Sequence, residues 1–69
     1  MATFIEVNMI REGKDDLIIL LNFDYVSAVS LIGNDAFLNL VEGNNTPYTG
    51  MTVRDSYEWL KQLLHQRLK

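Results

Sequence analysis

Residues 16–32 read DLIILLNFDYVSAVSLI, and the division of this stretch decides the fold. From Leu17 to Phe23 nearly every position is apolar. A strand with one wet face alternates apolar and polar residues, and this one does not. It is therefore expected to be covered on both faces, either as a central strand or at a contact between copies. Asn22-Phe23-Asp24-Tyr25 breaks the run, because Asn and Asp side chains compete for nearby backbone donors and favour turns. Beyond the break the spacing is mixed. Val26 and Val29 are three apart, a helical interval, while Val29 and Leu31 are two apart, a strand interval. A tight turn at 23–26 and a strand over 27–32 are expected.

Upstream, Thr3 to Ile10 reads as a strand with Ile5, Val7 and Met9 on one face and Phe4, Glu6, Asn8 and Ile10 on the other. Residues 11–15 form a polar turn with Gly13 free to take a positive φ, so a hairpin into Leu17–Phe23 follows. Downstream, Gly33-Asn34-Asp35 is a hairpin turn and Ala36 to Val41 the returning strand. Either Phe37 and Val41 or Leu38 and Leu40 face the core. Glu42-Gly43-Asn44-Asn45 makes the next turn. Thr46 to Met51 is at most a short edge strand, since Pro47 lacks a ladder donor and Gly50 adds flexibility.

The last element is a helix whose stripe is Val53, Tyr57, Leu60, Leu64 and Leu68, flanked by Leu63. Its start falls between Thr52 and Ser56. Thr52 with Asp55, or Asp55 with Glu58, would cap it, the second being the better box. Acids near the start and His65, Arg67 and Lys69 near the end suit the helix dipole, and Arg54–Glu58 is a candidate four-apart pair. The fold class is α+β. An antiparallel meander of four to five strands is followed by one C-terminal amphipathic helix packed on the sheet.

Sixty-nine residues make a single domain, 1–69. A chain this short buries only about 60% of the surface it would expose unfolded, so small domains add disulfides, metals or partners. There is no cysteine, and 48% of residues are apolar, which points to oligomerisation. A net charge of −3 argues against general nucleic-acid binding. The N-terminus carries no signal-peptide pattern, and the longest apolar run, Leu17 to Leu21, is too short to span a membrane. A cytoplasmic location is expected.

Chemistry-bearing constellations are sparse. His65, Glu58 and Gln62 share the polar side of the helix, short of the three or four ligands a zinc ion needs. Asp15, Asp16, Asp24, Asp35 and Glu42 sit in turns without the alternation of a calcium loop. No serine has a nucleophile-elbow setting, and no glycine run cradles phosphate. Asn44-Asn45-Thr46 matches a glycosylation sequon, read as chance. No catalytic, cofactor-binding or metal-binding residue is therefore nominated, and the chain is expected not to be an enzyme. Trp59 lies at the edge of the apolar stripe, either wrapping its own core or anchoring another chain. The candidate interface is Leu17, Ile19, Leu21, Phe23, Trp59 and Leu63, and the expected partner is a second copy in a homodimer or higher oligomer. The alternative is a nucleic-acid-associated regulator using Arg11, Lys14 and the helix cations Lys61, Arg67 and Lys69.

Leu21-Asn22-Phe23-Asp24-Tyr25-Val26-Ser27-Ala28-Val29, with Leu40-Val41-Glu42-Gly43 and Val53-Arg54-Asp55-Ser56, resembles the small bacterial flagellar FlbD-like proteins. The likeness covers an L-N-x-x-x-V-x-x-V step, an L-x-x-G strand end and a V-x-[ED]-S helix start, over roughly residues 5 to 65. Gly33-Asn34-Asp35 lacks the proline-containing turn of that pattern, and Asn44-Asn45-Thr46-Pro47 looks inserted. The resemblance implies a meander followed by a helix, an accessory role near motility machinery and no catalytic residues. A more distant similarity is to one half of the LytTR DNA-binding domain, which also runs strands into a helix.

Overall fold

The computed structural model describes residues 3–67. In chain order its elements are β1 (Phe4–Met9), β2 (Leu17–Asn22), a 3₁₀ turn (Phe23–Tyr25), β3 (Val26–Ile32), β4 (Asp35–Leu40), β5 (Gly50–Val53) and α1 (Tyr57–Arg67). The strands form one antiparallel five-stranded sheet in the order β2-β1-β5-β4-β3. The architecture is the expected α+β meander with a C-terminal helix.

Two tight hairpins build most of the sheet. β1 and β2 pair along their full length, from Phe4 opposite Asn22 to Met9 opposite Leu17. β3 and β4 are joined by Gly33-Asn34, with a positive φ at Gly33 alone, the demand of a type II′ turn. The mixed spacing after the break has a local cause. The β3–β4 register shifts between Val26 and Ala28, so an extra residue is inserted there. Val26 and Val29 then both face inward although they are three apart, opposite Leu40 and Leu38.

Two assignments need correction. The segment read as a weak edge is a central strand, because β5 begins only at Gly50, past Pro47, and runs through Val53. It lies between β1 and β4, with Met51 opposite Leu38 and Val53 opposite both Ala36 and Met9. Val53 therefore belongs to the sheet and not to the helical stripe. Conversely, β2 is not central. It is an edge strand with ordinary alternation, in which Leu17, Ile19 and Leu21 point inward and Ile18 and Leu20 point out.

β2 and β3 occupy opposite ends of the strand order yet are joined by a three-residue turn. Five strands laid flat would place them about 19 Å apart. A 3₁₀ link from Asn22 to Val26 bridges only about 8 Å. The sheet is therefore strongly curled, and its concave side holds the core. Ile5, Val7 and Met9, Leu21, Phe23 and Val26, Ala36, Leu38 and Leu40, Met51 and Val53 gather there. Leu38 and Leu40, not Phe37, are the inward residues of β4. Phe37 instead lies on the convex side, opposite Thr52, and its ring reaches diagonally over Gly50, whose missing side chain leaves room for it.

The helix closes the concave side. Leu60 is its one fully buried residue, with Tyr57, Leu63 and Leu64 packed half-buried around it and the helix lying against β3. Leu68 and Lys69 lie outside the described residues. The helix cap is Ser56, whose Oγ accepts from the Trp59 backbone N–H. Asp55 is used otherwise, because its carboxylate accepts from the Asn8 backbone N–H at 2.7 Å and ties the β5–α1 connection to β1. At the other end Arg67 donates to the carbonyls of Phe23 and Val26 and lies over the Phe23 ring. The helix is thus fastened to the 3₁₀ turn that joins the two edge strands.

Candidate interface

A free sheet edge is a row of unpaired backbone donors and acceptors, and natural domains usually guard it with charge, proline, a bulge or a covering element. The two edges here differ in this respect. β3 carries the bulge at Val26/Ala28 and has α1 packed against it. β2 has no bulge against β1, and Leu17 to Asn22, like Val26 to Ile32 of β3, contains neither a charged residue nor a proline. Its outward side chains are apolar and largely in solvent, Ile18 at 62% and Leu20 at 70% exposure. Phe4 at 56% joins them from the same face of β1, opposite Asn22 and diagonal to Leu20, which stands opposite Glu6.

A groove of about 240 Å³ runs beside the second half of this edge. Ile19, Leu20, Leu21 and Asn22 form one wall, with Phe4 and Tyr25 at the sides and Asn44–Thr46 opposite. None of these residues carries a charge at neutral pH.

That opposite wall is held by Asn44, a polar residue buried in the β4–β5 loop. Its amide nitrogen donates to the carbonyls of Val41, at 2.6 Å, and Tyr48, at 3.0 Å. Its amide oxygen accepts from the Thr46 backbone N–H, at 2.9 Å, and from the Thr46 hydroxyl. One side chain thus ties both arms of the loop together, while Gly43 and Asn45 take the positive φ angles that let the chain wrap around it. The sequon reading meets a physical obstacle. The nitrogen a glycan would modify already commits both its protons to backbone carbonyls inside the loop.

At the start of β2, Asp16 accepts two bonds from Arg54, at 2.6 and 3.0 Å. This replaces the expected Arg54–Glu58 pair, since Arg54 sits at the end of a strand and Glu58 pairs with Lys61. The Arg54 guanidinium holds the Asp16 carboxyl below its ordinary value, first by hydrogen bonding, which outweighs the opposing cost of burial, with lesser help from the charges of Arg54 and Arg11. A carboxyl depressed in the folded state stabilises the fold above its unfolded value of about 4 and loses that contribution as pH falls through the lower folded value. Urea titrations of the native chain and of Asp16→Asn should therefore differ at neutral pH and converge in acid. A gap that persists in acid would mean that the pair does not act through its charge.

The other nominated residues are placed as follows. Leu21 and Phe23 are core residues and present no side-chain surface, a correction to their place among the interface candidates. Leu17, Ile19 and Leu63 are half-buried against the core. Trp59 is 41% exposed on the helix, which packs against β3. The side chains that β2 offers are Ile18 and Leu20, which the uniform apolar run concealed. Arg11 donates to the Asp15 carbonyl, Lys61 pairs with Glu58 and Arg67 is committed to backbone carbonyls, so three of the basic residues have intramolecular work. Among the described residues no three His, Cys, Asp or Glu side chains gather where they could hold a metal, and His65 is exposed. No helix among them is long and apolar enough to cross a membrane.

Compared with protein-family models, curated proteins and solved structures, the chain matches none.

Proposed function

We propose that this chain is a small non-enzymatic interaction module that self-associates through the free edge of β2. The observation that carries the reading is the contrast between the two sheet edges. Both edge strands are uncharged, and β3 exposes Leu31 and Ile32, but β3 is bulged at Val26/Ala28 with α1 packed against it, whereas β2 is unbulged and lined by Ile18, Leu20 and Phe4. Leaving such an edge in water is unfavourable for a monomer, because apolar side chains and unpaired backbone groups are presented together. A domain of this size has little stability in reserve, and burial between copies supplies what one small core lacks. The FlbD-like resemblance would place this module beside bacterial motility machinery.

Sedimentation at micromolar concentration tests the reading. The expected species has twice the 7.9 kDa chain mass or a higher multiple of it, and Leu20→Lys shifts it to the single-chain mass with a lower melting temperature. A native chain that sediments as a single copy throughout would overturn it.

A further inference from the structure

We infer that two copies pair β2 to β2 in antiparallel fashion about a two-fold axis at Ile19, joining their sheets into one of ten strands. This rests on the self-association proposed above and adds its geometry. In an antiparallel ladder, residues directly opposite each other point to the same face and belong to the same hydrogen-bonding class. When a strand pairs with its own copy, opposite residues must therefore be an even number apart, or the same residue. Three registers satisfy this near the middle of β2, centred on Ile18, Ile19 or Leu20.

The side chains choose between them. Centring on Ile18 sets Asp16 against Leu20 and leaves that exposed side chain without an apolar partner. Centring on Leu20 sets Asn22 against Ile18 and brings Leu17 opposite Phe23, which has already left the strand for the 3₁₀ turn. Centring on Ile19 sets the exposed Ile18 against the exposed Leu20 on each side of the axis, with the half-buried Ile19 against itself, so both outward apolar side chains meet apolar partners. Its ends are compatible as well. Asp16 falls opposite Asn22, and its charge is already matched by Arg54. The uncharged groove beside Leu20–Asn22 then receives the first half of the incoming strand.

The absence of cysteine makes the register directly readable. Ile18→Cys and Leu20→Cys, both on the exposed face, are prepared separately, one with a mass tag, mixed, and oxidised mildly. Opposite residues in an antiparallel pair have Cα atoms about 4.5–5.5 Å apart, within disulfide reach. Identical residues displaced two places along the ladder are not. The expected product is the mixed disulfide, joining one Ile18→Cys chain to one Leu20→Cys chain, in clear excess over either symmetric one. Predominance of the symmetric Ile18→Cys or Leu20→Cys product would overturn this register in favour of one centred there. A dimer by sedimentation that forms none of the three would place the contact elsewhere, overturning the inference while self-association stands. A monomer that forms none would overturn both.

Discussion

Leu60→Ala is expected to lower the melting temperature by at least about 10 °C, with loss of near-UV signal at 37 °C. Leu60 is the single helix residue sealed into the core, and its truncation removes packing that the neighbours Tyr57, Leu63 and Leu64, themselves only partly buried, cannot replace. Buried Leu→Ala changes cost about 2–5 kcal/mol. A chain of this length has a total stability of only about 3–10 kcal/mol. For domains of this size each kcal/mol corresponds to about 4–8 °C. Trp59→Ala is the control on the same helix, because a side chain so exposed should cost far less. If the two substitutions melt alike, the helix is not held by its Leu60 contact.

Asn44→Asp is expected to cost about 2–4 kcal/mol at neutral pH, although it replaces a single heavy atom of the side chain. The amide nitrogen that donates to the Val41 and Tyr48 carbonyls becomes an oxygen facing two other oxygens. The donors that the other side-chain atom accepts are kept, so the loss isolates the two donated bonds. Protonating the new carboxyl restores one donor, and the deficit should therefore shrink as pH falls. Denaturant midpoints across pH measure this. A variant as stable as the native chain at neutral pH would show that the loop does not depend on the amide.

Parts of this structure differ in how visible they were in the residues alone. The hairpins were legible because Gly13 and Gly33 sit between apolar runs, and the inward face of β1 was legible because Ile5, Val7 and Met9 alternate with Glu6 and Asn8. β5 was obscured by Pro47 and Gly50. Both residue types weaken strands, but Pro47 lies before this one and Gly50 opens it beside the Phe37 ring. Val53 then fitted a helical interval with Tyr57 by coincidence. In β2 the period-two signal was absent because both faces are apolar, so the outward pair Ile18 and Leu20 could not be told from the inward set. Asn44 was legible as a turn residue but gave no sign of its burial. A buried asparagine and a solvated one have the same letter, and only the closure of the loop around it distinguishes them.

The position of β5 has a consequence for how the protein is made. The β1–β2 and β3–β4 hairpins are local and can form as soon as each has left the ribosome, for hairpins close within microseconds. The strand that unites them is the last one translated, and Leu60 and Arg67, which brace the result, follow it. Until then the nascent chain carries the unpaired inner edges of β1 and β4, apolar on one side and open to any neighbouring strand. Polysome crowding should therefore endanger this protein more than the finished molecule's concentration does, and truncation just before Gly50 should yield insoluble hairpins rather than a smaller soluble domain.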